Sequence, residues 1–385
     1  MKIIVISYIY PNKLDQRLGI FVHQQSKYIA KEGHEVHVLT SGSSQDKKEE
    51  FVDGIVVHRL LSIDNKFPLK GLLFSLRCAK AVISLNNRLN FDFIIQNFIG
   101  VSMILIGMIT KLLNKRLIVI SHGTEWELPK KNFIKNFIIK IVLAIPDKIV
   151  CVSKKTKNLL SYNVKKNKLV VINNGMDPQW LKPSMSKSKF RKKLGLANKF
   201  IILSVSSLVL KKGIDIVVKI LPELITKYPN LIYIIIGDGP EKENLKMLVN
   251  KLNLGKNVKF LGYKVGTELA NFYNICDIFI LMSRDLKYAI ESFGIAYIEA
   301  SYFGKPVIGG KSGGTADSIL DNITGYRIEP TNTKEIVKKL FLLIKNDNLR
   351  KKLGKNGKKW VNNNLLWNHN VDKLMQVYKS LLIKQ

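Results

Sequence analysis

Residues 291–300 read E-S-F-G-I-A-Y-I-E-A, and the role of Gly294 in that stretch decides the fold. The apolar residues Ile295, Ala296, Ile298 and Ala300 continue past the glycine, so Gly294 opens a helix and does not close one. A helix N-terminus presents unpaired backbone N–H groups and a partial positive charge, which suits a phosphate. Glu291 then falls in the loop before the helix and Glu299 more than one turn inside it. Were both helical, their eight-residue separation would place them ~12 Å apart along the axis. A glycoside hydrolase needs its two carboxyls about 5–9 Å apart, so the pair is a poor hydrolase dyad. Two separate tasks are expected, one carboxylate beside a reacting sugar and the other accepting hydrogen bonds from a pair of hydroxyls. Spacing alone fits two surface glutamates on an amphipathic helix better; the neighbouring segments shift the balance.

Outward from this stretch, short apolar runs alternate with amphipathic ones. Residues 200–206, 231–236, 258–261, 278–281 and 306–308 read as strands, with helices over 214–227, 242–252, 267–273 and 295–303. An earlier series has strands over 2–7, 35–40, 93–96, 117–121, 148–152 and 169–172, with a helix over 21–31. Near-continuous apolar strands alternating with helices predict parallel sheets covered on both faces. Two such series predict an α/β protein of two doubly wound, Rossmann-like domains. The break falls at residues 177–188, D-P-Q-W-L-K-P-S-M-S-K-S, which hold two prolines, three serines and no periodicity. The expected division is 1–177, a linker 178–188, a second domain 189–366, and 367–385 ending in a helix over about 370–383.

The chain's 385 residues, 46% of them hydrophobic, suffice for two cores. Its net charge of +33 raises nucleic acid as a partner. Residues 1–185 hold 28 basic and 13 acidic residues, or +15, and residues 186–385 hold 34 and 16, or +18. Charge spread so evenly is not a binding stripe, and there is no zinc-finger spacing or RNA-stacking motif, so no nucleic acid is expected. An anionic membrane surface or anionic substrates fit better. Cys78, Cys151 and Cys276 are isolated and odd in number, as in a reducing compartment. The N-terminal apolar run is short and stops at Pro11, unlike a signal peptide. The apolar stretch 98–113 falls short of the ~20 residues of a membrane span and reads as a buried helix. Residues 130–145 mix four lysines with Phe133, Phe137 and Ile141. They read either as a helix lying on an anionic membrane or as a partly buried helix with a solvated lysine face.

Three glycine patterns mislead. Gly237-Asp238-Gly239-Pro240 lacks the third glycine of a dinucleotide loop and reads as a tight turn after a strand. Gly310-Lys311-Ser312 would need a glycine at residue 305, which is Lys305. Asn322-Ile323-Thr324 has the form of a glycosylation acceptor without other signs of secretion. Lys211-Lys212-Gly213 follows a strand and precedes a helix, placing cations where open α/β sheets bind ligands, although two solvated lysines fit a chain this basic. Gly19 and His122-Gly123 fall at corresponding strand ends in the first domain.

In order and spacing these positions resemble the family 4 glycosyltransferases. Gly33-His34-Glu35-Val36 is similar to the family's GHEV, His122-Gly123-Thr124-Glu125 to its HGxD, and residues 172–177 (I-N-N-G-M-D) to its IPNGVD. Gly237-Asp238-Gly239-Pro240 is similar to GDGP, and Glu291 through Ala300 to EGFGxxxxEA; Gly304-Lys305-Pro306-Val307-Ile308 and Gly313-Gly314 follow in order. Trp367 and Tyr378 resemble the family's final helix, which returns to the first domain. The resemblance implies a GT-B fold and a retaining transferase that uses a nucleotide sugar, UDP- or GDP-linked. The sequence offers no acidic cluster suited to Mg²⁺, so no metal or further cofactor is expected. The resemblance also implies that Glu299 binds the ribose hydroxyls, that Glu291 with Phe293, Gly294 and Ile295 contacts the donor, that Lys212 neutralises the diphosphate, that His122 lines the sugar site, and that Gly19 and Gly239 let the chain approach the donor. Glu291, His122 and Lys212 would then be the catalytic set. Where the family has G-R-L this chain has Ser206-Ser207-Leu208, so Ser207 replaces an arginine that shares the diphosphate; Glu125 replaces an Asp, and Leu18-Gly19 a double glycine. Implied partners are a glycan or lipid-linked acceptor, met through loops 12–18 and 64–73, in cytoplasmic surface-polysaccharide or lipopolysaccharide assembly with peripheral contact at the inner membrane face. A GT-B nucleotide-sugar epimerase and a non-catalytic scaffold share the architecture.

Overall fold

The computed structural model describes residues 1–62, 70–100, 102–123, 133–287 and 289–382. The chain forms two compact units: residues 1–175 with 367–385, and residues 176–366.

The first unit is built on strands β1 (Lys2–Ser7), β2 (Glu35–Gly42), β3 (Glu49–Val52), β4 (Ile55–Ser62), β5 (Phe93–Asn97), β6 (Arg116–Ser121), β7 (Lys148–Cys151) and β8 (Leu169–Val171). They lie in the order β3-β4-β2-β1-β5-β6-β7-β8. All neighbours are parallel except β3 and β4. Strand order reverses between β1 and β5, the position where an open parallel sheet leaves a crevice at its carboxyl edge. The central strands are apolar on both faces because both are covered; Ile3, Ile4, Val5 and Ile6 are all buried.

Three features of this unit differ from the sequence reading. The β3–β4 hairpin was not expected, although its two-residue turn Asp53-Gly54, with φ of 51° and 81°, is a standard hairpin signal. The helix Ser102–Leu112 buries one face only, through Met103, Ile106 and Ile109, while Met108 and Leu112 are exposed. The last helix begins earlier, at Trp367 (Trp367–Leu382). It is held in the first unit by Tyr378 stacked on Phe93 at 4.0 Å, and by Asn370 Oδ1 accepting from Gln25 Nε2 at 2.7 Å.

Of the segment 130–145, the helix Phe133–Ala144 buries Val142 and Leu143 and exposes Lys140 and Ile141; the side chains of Phe133 and Phe137 lie outside the described residues. No described helix is long and apolar enough to cross a membrane.

The second unit holds β9 (Phe200–Val205), β10 (Leu231–Ile236), β11 (Val258–Phe260), β12 (Ile278–Leu281), β13 (Val307–Gly310) and β14 (Gly325–Ile328) in the order β11-β10-β9-β12-β13-β14. Every pair is parallel. The order reverses between β9 and β12. Strand β14, G-Y-R-I, is too short and mixed to announce itself and was missed. Part of the expected linker is structured within this unit: Ser186 caps the helix Lys187–Lys193, and Asn271 Oδ1 accepts from Ser184 N at 3.1 Å.

Candidate active site

The reversal between β9 and β12 puts two loops side by side at the carboxyl edge of the second sheet. After β9 the chain runs through Ser206 and Ser207 to a single 3₁₀ turn, Leu210–Lys212, and then into the helix Ile214–Lys227. After β12 it passes Ser283 and Arg284 and reaches Glu291. Lys212 Nζ donates to Glu291 Oε2 at 2.5 Å, and Ser283 Oγ donates to the same oxygen at 3.1 Å. Both partners of this ion pair are largely buried. Burial alone would raise the Glu291 carboxyl, but the charges of Lys212 and Lys211 and the hydrogen bonds from Lys212 and Ser283 outweigh it and hold the carboxyl below its ordinary value. Among the described residues Oε1 of Glu291 makes no hydrogen bond, which leaves it available to a ligand.

The backbone of Glu291 is clamped by the loop after β13. Its carbonyl accepts from Gly314 N at 2.6 Å. A side chain at Gly313 would put its Cβ 1.9 Å from that carbonyl oxygen, so only glycine closes the clamp. Asp285 Oδ1 holds the clamp in turn, accepting from Ser312 Oγ at 2.6 Å and Gly313 N at 3.0 Å.

Three residues on, Gly294 adopts φ 90° and opens the helix Ile295–Tyr302, as its sequence predicted. A Cβ there would lie 2.4 Å from the Tyr297 ring. No side chain caps this helix, so the backbone N–H groups of Ile295 and the following residue point from its first turn without a protein side-chain acceptor. Phe293 is buried, and the Tyr297 hydroxyl donates to Leu281 O at 2.7 Å, fixing the helix to the end of β12. The Glu299 carboxylate accepts from the Tyr273 hydroxyl at 2.7 Å, its only side-chain hydrogen bond among the described residues. Burial pushes this carboxyl up, and the Tyr273 bond offsets the rise only in part.

Ser207 is exposed, and the adjoining Ser206 Oγ is buried without a hydrogen-bond partner among the described residues. Arg284, in the loop after β12, is held by Asp215, with nitrogens at 2.9 and 3.3 Å from its two oxygens. Lys211 Nζ reaches the Ile290 carbonyl at 3.3 Å, which places it over the same loop as Lys212. Gly239 lies in the turn after β10, where Leu208 N donates to Asp238 O at 2.9 Å, so this turn and the Ser207 loop are joined.

The first unit carries the remaining expected residues. Gly19 precedes the helix Ile20–Lys31. His122 follows β6, is buried, and lies against Phe21 and Phe98 at 4.5 and 4.7 Å between ring centroids. Its Nε2 is 2.9 Å from Asn97 Oδ1; a carbonyl oxygen only accepts, so Nε2 carries the proton. Burial pushes the imidazole down to about 3, and it is neutral at physiological pH. Glu125, the HGxD position, lies outside the described residues.

Sequence reasoning missed Ser283, Tyr273 and Asp285. Ser283 was accessible to it, being a polar residue just past the end of a strand. Tyr273 reads as an ordinary core aromatic of the helix Gly266–Ile275, and Asp285 gains its role only through the fold.

Two parallel-sheet units with a Lys–Glu pair and an uncapped helix N-terminus at a strand-order reversal define the protein as a GT-B glycosyltransferase. The family model described as Glycosyltransferase Family 4 matches residues 18–180, and that described as Glycosyl transferases group 1 matches residues 186–360. The chain belongs to glycosyltransferase family 4. It is 26% identical over 385 residues to an uncharacterised glycosyltransferase of Methanocaldococcus jannaschii, covering 99% of each chain. It is 29% identical over 184 residues, 47% of this chain and 48% of the relative, to a GDP-mannose-dependent alpha-(1-6)-phosphatidylinositol monomannoside mannosyltransferase of Mycolicibacterium smegmatis. The crystal structure of Anabaena Alr3699/HepE in complex with UDP shares the fold, with a TM-score of 0.78 at 20% identity over 99% of this chain and 100% of that one.

Proposed function

We propose that this glycosyltransferase moves a sugar from a UDP- or GDP-sugar to a glycan or lipid-linked acceptor with retention of anomeric configuration, in the assembly of a surface polysaccharide or lipopolysaccharide. The observation that carries the reading is the Lys212–Glu291 pair beside the uncapped helix at Gly294. A diphosphate beside these groups meets a cation and free backbone N–H donors, which stabilise its charge as it departs. The bond from the anomeric carbon to the diphosphate oxygen breaks, and the bond to the acceptor oxygen forms on the same face. The acceptor proton passes to the departing phosphate. Lys212 and the helix supply the charge stabilisation, so transfer proceeds without a metal, and EDTA is expected to leave the rate unchanged. Glu299 receives the ribose hydroxyls. A UDP complex of a structural neighbour and a GDP-mannose-dependent relative support a nucleotide-sugar donor.

Thermal-shift titration with UDP, GDP and ADP tests this reading. One nucleotide is expected to raise the melting temperature of the wild type and not of Glu299→Ala. No shift with any of them would remove the donor site and leave a scaffold. The net charge of +33 supports peripheral association with an anionic membrane face, and three buried cysteines outside any disulfide support a reducing, cytoplasmic setting. Flotation with phosphatidylglycerol liposomes checks the membrane contact; protein that stays in the bottom fraction refutes it.

A further inference from the structure

We propose that Tyr273 makes the donor site choose ribonucleotides: its hydroxyl holds the Glu299 carboxylate so that a free oxygen faces the paired hydroxyls of a ribose. The proposal rests on the reading of Glu299 as the ribose contact and adds the positioning residue on which that contact depends.

The two oxygens of Glu299 have different surroundings. Oε2 accepts from the Tyr273 hydroxyl at 2.7 Å. Oε1 has no hydrogen-bond partner among the described residues, and it is not one of the unpartnered side-chain atoms sealed from solvent. It is therefore open to a ligand. A carboxylate has about four acceptor positions, and Tyr273 takes one of them. Glu299 stands four residues after Ile295, on the same face of the helix Ile295–Tyr302 and about 6 Å along its axis. Helical side chains lean toward the N-terminus, which brings the carboxylate back toward the uncapped first turn. One nucleotide can then meet the backbone donors with its phosphates and Oε1 with its sugar.

Tyr273 is held firmly enough to aim that carboxylate. Its ring is buried, stacks on Phe303 with centroids 5.6 Å apart and planes 16° from parallel, and lies 6.0 Å from the Phe279 ring of β12. Its carbonyl accepts from Cys276 Sγ at 3.3 Å, and Lys305 Nζ donates to the next carbonyl, Asn274 O, at 2.7 Å. Burial and the Glu299 charge push the hydroxyl well above its ordinary value, so the proton stays on the oxygen and is donated. Packing needs only the ring; the hydroxyl serves Glu299.

Ribose and deoxyribose forms of the same nucleotide test the proposal. Calorimetry measures the binding of UDP, GDP and ADP, and of their 2′-deoxy counterparts, to the whole protein. Wild type, Tyr273→Phe, Glu299→Ala and the double variant are compared. For the nucleotide that binds, wild type is expected to prefer the ribose form by about tenfold or more, the worth of a hydrogen bond to a charged group. Tyr273→Phe keeps the ring and its stacking. It is expected to cut the preference to about threefold or less while binding the deoxy form as wild type does. In the Glu299→Ala background the same change is expected to leave the preference where it is, because Tyr273 acts through Glu299.

Equal losses for the two forms would mean that Tyr273 only packs, and an unaltered preference that Glu299 needs no aiming; either overturns the proposal alone. A further loss of preference in the Glu299→Ala background overturns it too. A wild type that binds no nucleotide, or binds both forms equally, refutes the ribose reading itself and the proposal with it.

Discussion

Lys212 Nζ and Glu291 Oε2 stand 2.5 Å apart, so the cation and the carboxylate that sequence reading assigned to separate tasks are one ion pair in the ligand-free chain. Removing one member leaves the other buried and unpaired. Lys212→Ala is expected to cost ~3–5 kcal/mol, the usual penalty for breaking a buried pair. The double variant Lys212→Ala/Glu291→Gln is expected to regain part of that loss. Urea unfolding of the three proteins measures both, and a single variant as stable as wild type would show that the pair is solvated.

The two glutamates respond to pH in opposite senses. Glu291 is held below its ordinary value of 4.5, so its contribution to stability is complete above that value and is lost as the pH falls through the lowered folded value. Glu299 is raised above the same ordinary value, so its folded form holds a proton longer than the unfolded chain does, and stability declines as the pH rises through that window. Above that window burial of the carboxyl counts against the fold. Glu299→Gln keeps an oxygen for the Tyr273 hydroxyl and removes that cost. The ligand-free variant is expected to melt above wild type at pH 7 while losing the nucleotide-induced shift. A variant that melts lower than wild type contradicts the sign.

Gly294→Ala tests the helix opening. The left-handed φ of 90° and a methyl 2.4 Å from the Tyr297 ring both oppose it. Backbone strain of this kind costs ~1–3 kcal/mol, and relieving the clash displaces a ring whose hydroxyl anchors the helix to β12. The variant is expected to melt lower and to bind nucleotide more weakly. Unchanged nucleotide affinity would separate the helix N-terminus from the diphosphate.

His122 is expected to remain a neutral imidazole from pH 5 to 8, since burial holds it near 3. What it can offer a ligand is therefore a hydrogen bond and not a charge. Side-chain NMR through this range is expected to show no titration of His122; an inflection near its ordinary value of 6.5 would mean that solvent reaches the ring.

The strands most legible in the sequence were those buried on both faces, such as β1, β9 and β10, because continuous apolar runs leave few alternatives. The β3–β4 hairpin sits at a sheet edge, where three of the four residues of β3 are exposed and no apolar run marks it. At the site, Gly294 and its helix could be read because chain geometry there is local. The Lys212–Glu291 pair could not: 79 residues separate its members, and only the side-by-side placement of β9 and β12 joins them.

The helix Trp367–Leu382 completes the first unit from the far end of the chain. During synthesis the second unit is fully translated before that helix leaves the ribosome. Residues 1–175 therefore wait, with the Phe93 ring lacking its Tyr378 cover and Gln25 lacking Asn370, until that helix has emerged. That helix acts as a completion signal: a chain cut after residue 366 retains every residue of the second unit and an unfinished first one, which is expected to be the more open to proteases.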